Sequence, residues 1–182
     1  MRVAPLAILL ALFSQLSWAG DKEIAYLSAD LDKDGKPDSV LVLEEGTEAD
    51  PDQLNFVVQF GNGIKLQNNK LVRKSGLNES SGLSLKLLAN GSVLVRSVKD
   101  WGTSNWVSDI YLSFREGKLK ISGFDHEWYY RERGGKCEFN LLSSIATINK
   151  KKIQMPKEDM AFGPDANLGG YLDFCLEQTS SK

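Results

Sequence analysis

Four carboxylates crowd the stretch Asp30-Leu31-Asp32-Lys33-Asp34-Gly35-Lys36-Pro37-Asp38, at offsets of two, two and four residues. Calcium takes six to eight hard oxygen ligands at roughly 2.3 to 2.6 Å, so a loop that holds it must fold several carboxylates around one point. In a calcium loop the first, third, fifth and ninth side chains and the seventh carbonyl point inward. Asp30, Asp32, Asp34, Asp38 and the carbonyl of Lys36 fill those positions here. The sixth position turns sharply with a positive φ, which glycine adopts without a side-chain clash, and it is Gly35. The stretch reads as a calcium site with Asp30, Asp32, Asp34, Lys36 and Asp38 as its ligands. The alternative is a solvated acidic turn, in which unneutralised carboxylates repel one another.

A helix-loop-helix calcium hand ends in a bidentate Glu at its twelfth position, and this chain has Leu41 there. The flanks are Ile24-Ala25-Tyr26-Leu27 before the loop and Ser39-Val40-Leu41-Val42-Leu43 after it, apolar and β-branched, so the loop is expected between strands. From Asp30 to Leu43 the chain resembles the calcium loops of FG-GAP and VCBS repeats, whose pattern is DxDxDGxxD followed directly by an apolar strand. Those loops more often carry Asn or Gly where Asp32 and Lys33 stand. The resemblance implies a Ca2+ ion as the cofactor. At a dissociation constant of about 0.1 mM, about 1 mM calcium stabilises the fold by roughly 1.4 kcal/mol, which suits a structural staple better than a catalytic centre.

Other chemistry is thinner. The single histidine, His126, lies in Phe124-Asp125-His126-Glu127-Trp128, and no GxSxG elbow supplies a nucleophile for a hydrolytic triad. Asp125 and Glu127 alternate along the same stretch, too common a pattern to define a glycosidase pair, so no catalytic residue is assigned. The aromatic residues are more telling. Trp101 and Trp106 bound a small polar loop, and Trp128-Tyr129-Tyr130 follows one strand later. Flat amphipathic rings give recognition surfaces contact area at low entropic cost, which makes Trp101, Trp106, Trp128 and Tyr130 candidate ligand contacts for a glycan or a protein. The competing reading places Trp106 in the core, in phase with Ile110, Leu112 and Phe114. Cys137 and Cys175 are the only cysteines; neither has a Cys or His neighbour at zinc spacing, and in an exported chain they are expected to form one disulfide.

The elements that must carry these residues are predominantly β. Residues 1–19 combine Arg2, an apolar run from Leu6 to Phe13 and the small-x-small step Ser17-Trp18-Ala19, which reads as a secretory signal peptide; the apolar run is too short for a membrane span. Residues 20–182 then form a single domain, and the whole chain's formal net charge of −2, which becomes −3 without Arg2, gives nucleic acid no electrostatic support. Leu54, Phe56, Val58 and Phe60 alternate as a half-buried strand up to Gly61-Asn62-Gly63. A two-residue turn at Asn90-Gly91 is expected to join Leu83–Leu87 to the run from Val93, and Glu116-Gly117 to close a second hairpin between Trp106–Phe114 and Leu119-Ile121. Glu44 to Gln53 is an acidic surface connection around Pro51. From about residue 155 the Pro and Gly content predicts an irregular tail, pinned by Cys175. The expected fold is all-β, about ten strands in consecutive antiparallel hairpins, sandwich-like or propeller-related; with one calcium loop and no internal repeat it is not a complete propeller.

Tyr111, Phe114 and Arg115, the run Ile121-Ser122-Gly123-Phe124-Asp125 and the step Asn140-Leu141-Leu142 give a second resemblance, to small exported bacterial proteins that carry one calcium-type loop just after a signal peptide. It implies a periplasmic or secreted location and no particular activity. The function expected first is an exported, calcium-stabilised binding protein without catalysis. An inhibitor or immunity-type protein that blocks an exported enzyme comes next, and a hydrolase third.

Overall fold

Short apolar runs that alternate with polar residues pair into two antiparallel sheets. The computed structural model describes residues 22–44, 54–72, 82–100, 102–156 and 160–180. The predicted signal peptide, most of the acidic connection and Trp101 lie outside the described residues. β1 (Lys22–Ala29), β2 (Asp38–Glu44), β3 (Leu54–Gln59) and β4 (Lys65–Asn68) form a four-stranded meander in that order. β5 (Leu83–Leu87), β6 (Val93–Lys99), β7 (Ser104–Arg115), β8 (Lys118–Tyr130), β9 (Arg133–Asn140), β10 (Ile145–Ile148) and β11 (Lys151–Gln154) form a seven-stranded one, again with sequential neighbours paired. The fold is all-β, with one helix among the described residues, α1 (Gly169–Ser180).

The two sheets share one hydrophobic core. Val40, Val42, Leu54, Phe56 and Val58 of the smaller sheet pack into the same cluster as Val93, Val95, Ile110, Leu112 and Ile121 of the larger. Phe60 meets Phe114 edge-on at 5.7 Å between ring centroids. β3 is not half-buried as its alternation implies, because Leu54 through Val58 are all buried, on both faces of the strand.

Turn chemistry sets the registers. Glu116 and Gly117 both have positive φ, 53° and 73°, and close the β7–β8 hairpin as a two-residue turn between Arg115 and Lys118. The β5–β6 turn differs from expectation: Leu88 N–H donates to Ser92 O and Gly91 N–H to Leu88 O, leaving a three-residue loop, and of Asn90 and Gly91 only the glycine has positive φ. The Phe60–Ile64 turn repeats this arrangement, with Gly63 in the left-handed position.

A bulge in β8 determines which residues face the core. Tyr111 pairs with Gly123 but Leu112 with Ile121, so Ser122 is the extra residue, held by its Oγ against Tyr111 O at 3.1 Å and Ser113 Oγ at 2.9 Å. Leu119 and Ile121 before it therefore share the core with Phe124 after it.

The C-terminal stretch departs from the irregular tail expected. Ile121 N–H donates to Met160 O and Phe162 N–H to Leu119 O, so residues 160–162 run along the start of β8. Asn68 Nδ2 then donates to the carbonyls of Gly163 and Ala166, tying the segment to the smaller sheet. Asn167 Oδ1 accepts from Gly169 N–H at 2.8 Å in the manner of a helix cap, and α1 follows, burying Tyr171, Cys175 and Thr179. The predicted pairing of Cys137 with Cys175 holds, fastening α1 to β9.

Candidate metal centre and aromatic cleft

The acidic loop is the connection of the β1–β2 hairpin, whose last pair is Ala29 with Asp38. Antiparallel strands bring Asp30 and Asp38 back together, and the eight residues between the strands coil around the gap. Lys33 and Gly35 take left-handed conformations, φ 62° and 85°, which make the coil tight; no neighbour crowds the place of a Cβ on Gly35, so φ alone selects glycine there. Carboxylate oxygens of Asp30, Asp32 and Asp38 all come within 4.8 Å of one another. Asp30 accepts from the amides of Asp34 and Gly35, both at 3.1 Å, and Asp32 Oδ1 from Asp34 N–H at 3.1 Å. Asp34 is not part of the converging group; its Oδ1 accepts from Lys36 N–H at 2.8 Å.

Asp38 is fully buried and acts as a clip. Its Oδ2 accepts from Leu31 N–H at 2.7 Å and its Oδ1 from Gly61 N–H at 2.8 Å. A carboxylate oxygen has two lone pairs, so these amides leave acceptor capacity for a cation. Three hard oxygen donors around one centre, on a loop bent by Gly35, fit a cation such as calcium. Among the described residues no second group of three His, Cys, Asp or Glu side chains converges in this way.

Of the aromatic candidates, Trp106, Trp128 and Tyr130 come together on the larger sheet, and Trp101 lies outside the described residues. Trp106 and Trp128 are directly opposite each other on β7 and β8. With His126, Tyr130 and the apolar side of α1 (Leu172, Leu176) they line a cleft of about 440 Å³. Trp106 does share a face with Ile110 and Leu112, but it lies where the sheet runs out from under the core and remains partly exposed. Trp128 Nε1 donates to Thr179 Oγ1 at 2.9 Å, and Gly135, the residue paired with Trp128, gives Thr179 its room: a Cβ there would lie 2.4 Å from Thr179 Cβ. Trp128 and Gly135 are thus the seat of the last turn of α1.

His126 is buried, 6% exposed, on the cleft side of β8. Ser108 Oγ lies 2.6 Å from its Nδ1, and burial pushes the imidazole down to about 4, so it is neutral at ordinary pH. Asp125 and Glu127, one residue to either side, point through the opposite face. Tyr111 O–H donates to Asp125 at 2.9 Å, and the hydroxyl of Tyr129 bonds Glu127. Among the described residues no carboxylate hydrogen-bonds the imidazole, so Ser108 and His126 make a pair rather than a triad.

Sequence reasoning did not single out Ser108, Asn105 or the α1 leucines as cleft residues. Leu172 and Leu176 stand at helical spacing, but the glycine pair before them reads as a break. No protein-family model matches the chain, and neither the curated proteins nor the solved structures give a significant match.

Proposed function

We propose that the protein is an exported, calcium-stabilised binding domain that takes its ligand over the aromatic cleft. The observation that carries this is the pairing of Trp106 with Trp128 across neighbouring strands, which leaves two large side chains partly exposed beside a cavity that α1 also lines. Cavities of this size, apolar with a few polar groups, are what small ligands and anchor groups occupy.

The metal loop would act as a staple remote from that contact. Gly61, bonded to Asp38, adjoins Phe60, which packs on Phe114 at one end of β7; Trp106 is at the other end, eight residues or about 27 Å along the strand. Calcium at the loop therefore supports the fold without touching the ligand. The disulfide, which oxidising compartments preserve, supports the exported address, and among the described residues no helix is long and apolar enough to cross a membrane.

A glycan and peptide array probed in calcium tests this reading. Wild type should retain ligands that Trp106→Ala loses, while a Trp106→Ala profile identical to wild type contradicts the placement of the contact surface.

A further inference from the structure

The face of the larger sheet turned away from the core carries a polar groove, and we infer that it is a second binding site, independent of the aromatic cleft, for the sugar rings of a neutral oligosaccharide. Along β7, Asp109, Tyr111 and Ser113 alternate with Ile110 and Leu112 of the core and so point through this outer face. Arg96, Asp109, Asp125, Glu138, Thr147 and Lys152 stand in one row across β6 to β11, each directly opposite the next. A groove of about 540 Å³ lies on the Tyr111 side of the row and a hollow of about 230 Å³ on the other; Asp125 lines both. The first feature that selects a ligand is an aromatic platform. Gly123 pairs with Tyr111, and a Cβ on it would lie 3.2 Å from Tyr111 Cδ2. The Tyr111 hydroxyl donates to Asp125, two residues further along β8, at 2.9 Å. The ring is thus held along β8, and its partly exposed side lines the groove. A pyranose has an apolar C–H face that covers such a ring and a rim of hydroxyls that reaches past it.

The second feature is the row itself. Like charges directly opposite one another on neighbouring strands are destabilising, yet Asp109, Asp125 and Glu138 follow one another on β7, β8 and β9. Arg96 holds Asp109 through two bonds of 2.8 and 2.7 Å, and Lys136 pairs with Glu138 at 2.8 Å. Asp125, between them, forms no ion pair among the described residues, and its carboxyl is pushed up from the usual range, mainly by burial. Hydroxyl donors from a ligand stabilise such carboxylates without adding a charge. The third feature is that both signs are present: Arg115 and Lys152 line the groove together with Asp125 and Glu138. An anion or a cation placed there meets a like charge, whereas a hydroxyl donates to the carboxylates and accepts from the cations. The floor adds a directed chain of serines. Ser122 gives its hydroxyl hydrogen to Tyr111 O, so Ser113 donates to Ser122 and Ser92 to Ser113, which leaves Ser92 on the groove wall as an acceptor.

Calorimetry and amide chemical-shift titrations on the disulfide-intact protein in calcium test the inference with cellotetraose, maltotetraose and tetra-N-acetylchitotetraose, and with tetragalacturonate as the charged analogue. The expected result is saturable binding of at least one neutral tetrasaccharide, tighter than that of tetragalacturonate, with shifts centred on Tyr111, Asp125, Glu138 and Thr147. Tyr111→Ala removes the platform and should weaken binding about tenfold. Asp125→Asn keeps the side chain's shape and its bond from Tyr111 but loses the charge, and should also weaken binding about tenfold. No saturable binding of any neutral probe, tighter binding of tetragalacturonate, or affinity undiminished in Asp125→Asn would overturn the inference. Shifts confined to Trp106, Trp128 and α1 would overturn it too, while leaving the reading of the aromatic cleft in place.

Discussion

The Asp38 carboxylate accepts the amide hydrogen of Gly61 at 2.8 Å across 23 positions of the chain, and so joins the acidic loop to the turn between β3 and β4. Its other oxygen holds the amide of Leu31, at the loop's start. Asp38 thus has a role that does not depend on a cation, unlike Asp32, whose oxygen faces only the loop itself.

Those roles separate in unfolding experiments. Asp38→Ala strands two amide donors and should destabilise the protein by roughly 2–4 kcal/mol in both calcium and chelator. Asp32→Ala should leave the chelator curve near wild type and erase the response to calcium. Urea melts of the two variants under both conditions make the comparison.

Gly61 is constrained by its neighbours rather than by its backbone. A Cβ on it would lie 2.6 Å from Lys36 Cβ and 3.2 Å from the carbonyl oxygen of Pro37. Gly61→Ala must push the loop away from the turn, with an expected loss of about 1–3 kcal/mol and weaker calcium binding, read by calorimetry. Gly35→Ala acts by another route, strain at φ 85°, with no crowding.

The elements most legible in the sequence are those whose local chemistry leaves little choice. The spacing of Asp30 to Asp38 around Gly35 marks a tight acidic loop, Glu116-Gly117 a hairpin turn, and two cysteines behind a signal-peptide pattern a disulfide. The β8 bulge was not legible: Ser122 looks like any polar strand residue, and the register shift shows only once Tyr111 faces Gly123. Nor was α1, because Gly169 and Gly170 weaken helix propensity at its start and its packing depends on Cys175, Tyr171 and Thr179 meeting β9. Without α1 the cleft has no second wall, which is why its lining could not be assembled from the strands alone.

Removing the cross-link should loosen that wall first. The bond spans 38 positions and contributes about 4 kcal/mol on the chain-entropy model. The Cys137→Ser, Cys175→Ser double variant should melt well below wild type. It should also shift tryptophan emission to the red below the melting transition, as the Trp128 contact with Thr179 is released.

His126 gives the fold a specific acid sensitivity. Its pKa falls to about 4 through burial, from an ordinary 6.5, so the unfolded chain binds a proton more readily than the folded one. Stability from this group is complete above pH 6.5 and is lost as pH falls through 4, by roughly 3 kcal/mol at most. Asp125, raised mainly by burial, works in the opposite sense, gaining stability on acidification. The difference between wild type and His126→Asn isolates the histidine: between pH 7 and 4 the wild type should lose more stability than the variant, in chelator to remove the loop's own pH response.

Thermal melts in calcium and in chelator test the stapled fold most directly. With a dissociation constant of about 0.1 mM, as extracellular sites have, about 1 mM calcium stabilises the native state by roughly 1.4 kcal/mol. For a domain of this size that raises Tm by about 3–6 °C, and Asp32→Ala should abolish the rise. Superimposable wild-type curves in calcium and in chelator would contradict the account.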